Sequence, residues 1–187
     1  GFQVVFKTEY DPPLGENSGL VDGIRDARPD LLLGVGRLDD DISLARQLTK
    51  EKINDVIVSL VATTTQQFKE ALGHLSDRFL GPSQWEYDVF SASDYKSAAR
   101  DAGLVGAEYP KAQAYAAGLV AQRCGEEAGI LEDGALREAA RRLDFTTFYG
   151  RFKLDPASGR QIGHAMMVVQ WQGDEKVVVW PPKPTGK

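Results

Sequence analysis

Cysteine is almost missing from this chain of 187 residues. The single one, Cys124, excludes an intrachain disulfide and lies in a helical pattern, where a thiol packs as a small hydrophobe. Histidine is nearly as scarce. His74 and His164 are far apart, with no ligand spacing around either, so no metal site is expected. No apolar run reaches the roughly 20 residues that a membrane-spanning helix needs. Basic residues are in the minority, 22 Lys and Arg against 27 Asp and Glu, and the net charge of −5 disfavours nucleic acid or an anionic membrane as partner. There is no GxSxG elbow, and Cys124 has no partner for nucleophilic chemistry. Gly34-Val35-Gly36 lacks the third glycine of a dinucleotide loop, so no cofactor is expected. A basic segment followed by an apolar one is also lacking at the start, so no signal peptide is read. The chain opens instead on strand-like residues, Phe2 to Phe6, which reads as a processing boundary within something longer.

What is present is an alternation. After the expected strand at Phe2–Phe6 come a loop, Tyr10 to Asn17, and a helix capped by Ser18, with apolar positions Leu20, Val21, Ile24 and Ala27 and a stop at Pro29. Asp30 to Gly36 holds Leu31-Leu32-Leu33, a continuous apolar run expected for a strand covered on both faces. Asp39, Asp40 and Asp41 favour the start of the next helix through its dipole, and this explains them better than a cation site. Val56 to Val61 is a third strand, followed by a helix capped by Thr63 to Thr65, and a short strand is expected near Ser83 to Trp85. Three strand–helix repeats predict an α/β fold: a three-layer, open, mostly parallel sheet flanked by helices. Ligands bind such sheets at the carboxyl ends of the strands. Those ends carry Gly36 and Arg37, then Val61, Ala62 and Thr63. Thr63 to Thr65 either cap a helix or hold an anion there. Arg37 either pairs with a ligand carboxylate or faces Asp39 or Asp40. Trp85 and Tyr109 either line a cleft or close the core edge.

Beyond Trp85 the pattern changes. Tyr87 to Asp94 reads as a crossover, and Tyr95 to Ala102 as a short helix. A long helix follows, from about Glu108 to Gly125, with small residues Ala112, Ala116 and Ala117 on one face. A further helix spans Asp133 to Leu143. From Phe148 to Lys187 the spacing is that of a β-meander: Phe152 and Leu154, then Met166 to Trp171, then Val177 to Trp180 closed by Pro181 and Pro182. The expected divisions are residues 1–86 as an α/β domain, 87–147 as crossover and helices, and 148–187 as the meander.

The order of these pieces resembles a known family. Gly34-Val35-Gly36-Arg37 with Ala45-Arg46-Gln47, Leu80-Gly81-Pro82-Ser83-Gln84-Trp85-Glu86, and Tyr109 with Ala114-Tyr115-Ala116-Ala117-Gly118 are similar to segments of type I periplasmic binding proteins. These are the branched-chain amino-acid binding proteins of ABC importers, also called extracellular ligand-binding receptors. Thr147-Phe148-Tyr149-Gly150, Asp155, Gly159, Gly163-His164, Val169-Gln170-Trp171-Gln172 and Val177-Val178-Val179-Trp180-Pro181 resemble their C-terminal meander. The resemblance implies the rear half of a two-lobed, non-catalytic solute receptor, periplasmic or extracellular, that works with a membrane permease. Its lobe-two entry loop, with a ligand-facing tyrosine, is implied to lie outside this chain. It implies a small-molecule ligand at Gly36, Arg37, Val61, Ala62, Thr63, Trp85 and Tyr109. Amino-acid binders of the family carry an acid near the second loop, and Leu60-Val61-Ala62-Thr63 has none. The expected ligand is therefore an amino acid or, in the absence of that acid, an amide, a carboxylate or an aromatic compound. The same fold also serves as a sensing domain of signalling receptors, the alternative reading. An isolated half is expected to expose apolar surface around Tyr115 to Val120 and to form a homodimer.

Overall fold

A computed structural model of the chain describes residues 1–15, 19–86, 97, 100, 101, 103 and 109–182. The expected cap at Ser18, the crossover at 87–94, most of the short helix at 95–102 and the last five residues lie outside the described residues. The chain forms two compact units, residues 1–82 with 167–187 and residues 83–166.

The first unit begins with α1 (Leu20–Ala27), whose Val21 and Ile24 point inward. It ends at Arg28, in the left-handed region at φ 46°, whose N–H donates to the Ile24 carbonyl, and Pro29 cannot continue the helix. Strand β1 (Leu31–Gly34) leads to α2 (Leu38–Lys50). In α2 the residues Asp41, Leu44, Ala45 and Leu48 share a buried stripe at helical spacing. Strand β2 (Ile57–Leu60) is followed by a 3₁₀ turn, Val61–Thr64. Thr65 then caps α3 (Gln66–Leu72), its hydroxyl accepting the Phe68 N–H at 3.2 Å. A second 3₁₀ turn, Gly73–Arg78, enters β3 (Phe79–Ser83).

In the second unit α4 (Tyr109–Ala128) and α5 (Asp133–Arg142) pack together, with Ala112, Ala116, Cys124 and Ala139 buried. Strands β4 (Asp144–Thr147) and β5 (Gly150–Lys153) make an antiparallel pair. The chain then returns to the first unit with β6 (Met167–Gln172) and β7 (Glu175–Trp180), an antiparallel hairpin turned at Gly173, φ 64°.

The main sheet has the order β1-β2-β3-β6-β7, with β1, β2 and β3 parallel. The α/β fold with a mostly parallel sheet is therefore as expected. Its core is Ile24, Leu44, Leu48, Val58, Leu60, Phe68 and Phe79.

Four local expectations change. Phe2–Phe6 forms no strand; Phe2 and Val4 are exposed, while Phe6 packs on the core. The strand expected near Ser83–Trp85 runs earlier, through Phe79–Ser83. The terminal ribbon is not one meander: β5 pairs with β4 in a separate two-stranded sheet, while β6 and β7 extend the main one. The leucine run is not covered on both faces. Val58 and Leu60 are buried, but Leu33 and Ile57, pointing the other way, are 68% and 58% exposed.

Candidate functional site

The carboxyl ends of β1 and β2 lie side by side, because Gly34 pairs with Leu60. This brings together Gly36 and Arg37 on one loop and Val61, Ala62 and Thr63 on the next. A cavity of about 700 Å³ opens at the first loop, lined by Tyr10, Pro12, Leu20, Gly36, Arg37 and Asp40 among others. Arg37 is exposed, and Gly36 half-buried. Val61 is half-buried, and Ala62 and Thr63 are buried. The Thr63 hydroxyl is enclosed without a hydrogen-bond partner, and its carbonyl accepts the indole N–H of Trp171 at 2.8 Å.

The first turn of α2 holds the two loops. Asp40 Oδ1 accepts the Leu14 N–H at 2.7 Å and so anchors the segment that leads into α1. The Tyr10 hydroxyl lies beside the same carboxylate; burial first, then Asp40, raises the pKa of the phenol. Asp41 is 2% exposed. Its Oδ2 accepts the Ala62 N–H at 2.8 Å, and its Oδ1 packs against Gly36. Burial pushes its pKa from an ordinary 3.8 up to about 6, with the Asp40 charge adding to the rise, although the backbone donors oppose it. Gly36 permits the close approach: a Cβ there would collide with Asp41 Oδ1 and come 2.8 Å from the Tyr10 hydroxyl.

Trp85 and Tyr109 belong to the second unit. Trp85 is fully buried and meets Phe148 edge-on, with ring centroids 6.4 Å apart. Tyr109 is half-buried at the first residue of α4. A smaller cavity in this unit, about 330 Å³, is lined by Gln84, Gln113, Tyr149 and His164 among others. Gln84 Oε1 accepts from the Tyr149 hydroxyl at 3.2 Å and from Gln113 Nε2 at 3.1 Å. The Tyr149 and His164 rings stack at 5.0 Å, and burial raises the tyrosine pKa.

Sequence reasoning missed Tyr10, Asp40 and Asp41 as parts of the site. Tyr10 read only as the start of a loop, and the acids only as helix-dipole partners. The second loop does lack an acid of its own, but Asp41 reaches it from α2. A period of 3.6 residues places Asp41 in register with Leu44, Ala45 and Leu48, and that signal marks it as inward-facing.

A parallel sheet with its loops bound together at the carboxyl edge, beside an open cavity, is the architecture of a ligand-binding α/β protein. Residues 1–176 match the family model for periplasmic binding proteins, and the chain belongs to that family. Its fold is that of type I members. The leucine binding protein LivK from Thermotoga maritima matches with a TM-score of 0.72 at 16% identity, over 86% of this chain and 47% of that one. The leucine-, isoleucine-, valine-, threonine- and alanine-binding protein from Brucella ovis, in a closed conformation, matches with a TM-score of 0.75 at 13% identity, over 91% of this chain and 45% of that one. An ABC transporter solute binding protein from R. palustris, in complex with benzoate, matches with a TM-score of 0.68 at 15% identity, over 90% and 47%. The chain thus spans about half the length of the solved structures that it resembles. No curated protein matches the sequence. Among the described residues no helix is long and apolar enough to cross a membrane, and no group of three or more His, Cys, Asp or Glu is placed to hold a metal ion.

Proposed function

We propose that this chain is the solute-binding part of an ABC-type importer for amino acids or related small polar or aromatic compounds, that it catalyses nothing, and that it works in the periplasm or at the cell exterior with a membrane permease. The observation that carries this reading is the pair of loops after β1 and β2, held together by Asp41 beside a cavity with Arg37 at its rim. Arg37 is a guanidinium on an exposed loop next to that cavity, suited to a carboxylate through paired N–H donors. Leucine and benzoate, the compounds in the names of two structural relatives, both carry a carboxylate. Family membership supports binding without chemistry.

The test is isothermal titration of the protein expressed from its complete reading frame with L-leucine, acetamide and benzoate. Binding of a carboxylate ligand is expected, and Arg37→Ala should weaken it roughly tenfold or more, the scale of one lost charge-assisted hydrogen bond. A flat titration with all three would refute the reading.

A further inference from the structure

Two loops from neighbouring strands present one ligand face only if their relative position is fixed. Among the described residues, Asp41 touches both. Its Oδ2 accepts the Ala62 N–H on the second loop at 2.8 Å, and its Oδ1 lies against Gly36 on the first. It is buried, so water does not compete for that donor. The first loop admits the carboxylate only because position 36 has no Cβ. We propose that Asp41 is a positioning residue: its ionised carboxylate locks the Gly36–Arg37 loop to the Val61–Ala62 loop, and solute affinity depends on that lock. This rests on the solute-binding reading of the same edge.

The groups around Asp41 make the lock sensitive to acid. Asp40 is its charged neighbour on α2, and Tyr10, which itself faces Arg37 of the first loop, approaches from the N-terminal segment. The second loop, Val61 to Thr65, offers only backbone groups and hydroxyls, with no titrating side chain. Protonation neutralises the carboxylate and turns one oxygen into an O–H donor, so the charge-assisted bond to the Ala62 N–H weakens.

The experiment follows amide resonances of the wild-type protein and of Asp41→Asn by NMR between pH 5 and 7.5, with titration of L-leucine and benzoate at both ends. In the wild type the Ala62 and Gly36 amide resonances should move together with a midpoint near pH 6, and affinity should fall as they move. In Asp41→Asn the pH-dependent movement should vanish, and affinity at pH 7.5 should drop roughly tenfold or more. Ala62 and Gly36 resonances that stay fixed over this range in the wild type overturn the lock, without reference to any variant's folding. So does an Asp41→Asn protein that binds as tightly as wild type. A wild type that binds neither compound while Ala62 and Gly36 titrate overturns the solute reading instead, and with it the claimed dependence of affinity.

Discussion

The indole N–H of Trp171 donates to the carbonyl of Thr63 across 2.8 Å, joining strand β6 to the turn that follows β2. Lys176 on β7 adds a bond from its ammonium to the Thr64 carbonyl at 2.9 Å. Lys69 and Lys176 place their ammonium groups 5.8 and 5.9 Å from the Trp171 ring centroid, within cation–π reach. The second loop is thereby held from two directions. Asp41 takes an N–H at Ala62, and the β6–β7 hairpin supplies donors to the next two carbonyls. A backbone turn with its polar groups satisfied by distant residues is fixed by tertiary structure, not by its own propensity.

Trp171→Phe keeps an aromatic ring in the sheet and removes the donor. The Thr63 carbonyl is then left without this partner in a buried position. The expected loss is about 1–3 kcal/mol, the usual cost of an unsatisfied buried group. Urea unfolding would read it as a lower midpoint at unchanged slope. An unchanged midpoint would show that the bond contributes nothing net.

Phe68 is fully buried and meets the Phe79 ring edge-on, with centroids 5.8 Å apart at 88°. It anchors α3 to β3. Phe68→Ala should cost about 3–5 kcal/mol, through lost burial and the cavity left behind. That is a large share of a typical domain's 5–15 kcal/mol or so. Thermal unfolding followed by circular dichroism should show a clear drop in midpoint, and a shift within error would contradict this assignment of the core.

Gly163 lies beside the β5 backbone. A Cβ there would meet the Arg151 carbonyl oxygen at 2.6 Å and the Lys153 nitrogen at 3.0 Å. Both are main-chain atoms of a strand, so neither yields as a side chain would. Gly163→Ala should destabilise the second unit by about 1–3 kcal/mol, the scale of overpacking. Amide exchange should speed up at Arg151 to Lys153 while that at Val58 to Leu60, in the first unit, is unaffected. Equal acceleration at both places would contradict a local effect.

The strand–helix alternation was legible because each strand from Leu31 to Leu60 is short, apolar and bounded by helix signals. The face that each strand buries was not. Leu31-Leu32-Leu33 satisfies either orientation, and only the pairing with β2 decides that Leu33 faces outward. Phe2–Phe6 has strand composition, yet composition reports fit to a pleated surface and cannot supply a partner strand. The alternation in β6 and β7 was readable, but joining β3 rather than β5 is a long-range choice that no local pattern encodes. Asp39, Asp40 and Asp41 looked equivalent as first-turn acids. Rotation about the helix separates them, leaving Asp39 exposed and burying the other two.

That separation has a thermodynamic consequence. Asp41 in the folded chain has its pKa raised from 3.8 to about 6, chiefly by burial. The folded state therefore holds this proton more tightly than the unfolded state does. By linkage, its contribution to stability is fully present below about pH 3.8 and is lost as pH rises through about 6. Between those limits Asp41 works for the fold as acid is added, even while the bond to Ala62 weakens. Other carboxylates pull the opposite way. Asp144, bonded by Arg151 at 2.7 Å and by Lys153 at 3.1 Å, has its pKa held well below the usual range. The contribution of Asp41 must therefore be isolated as a difference between wild type and Asp41→Asn, which cannot titrate. Plotted against pH from 4 to 7.5, wild-type stability minus variant stability should fall toward neutral pH, most steeply between the ordinary value of 3.8 and the raised one of about 6, and level off above it. A difference that rises toward neutral pH would mean that the Ala62 N–H and its backbone neighbours outweigh desolvation, and that Asp41 stabilises the fold as an anion.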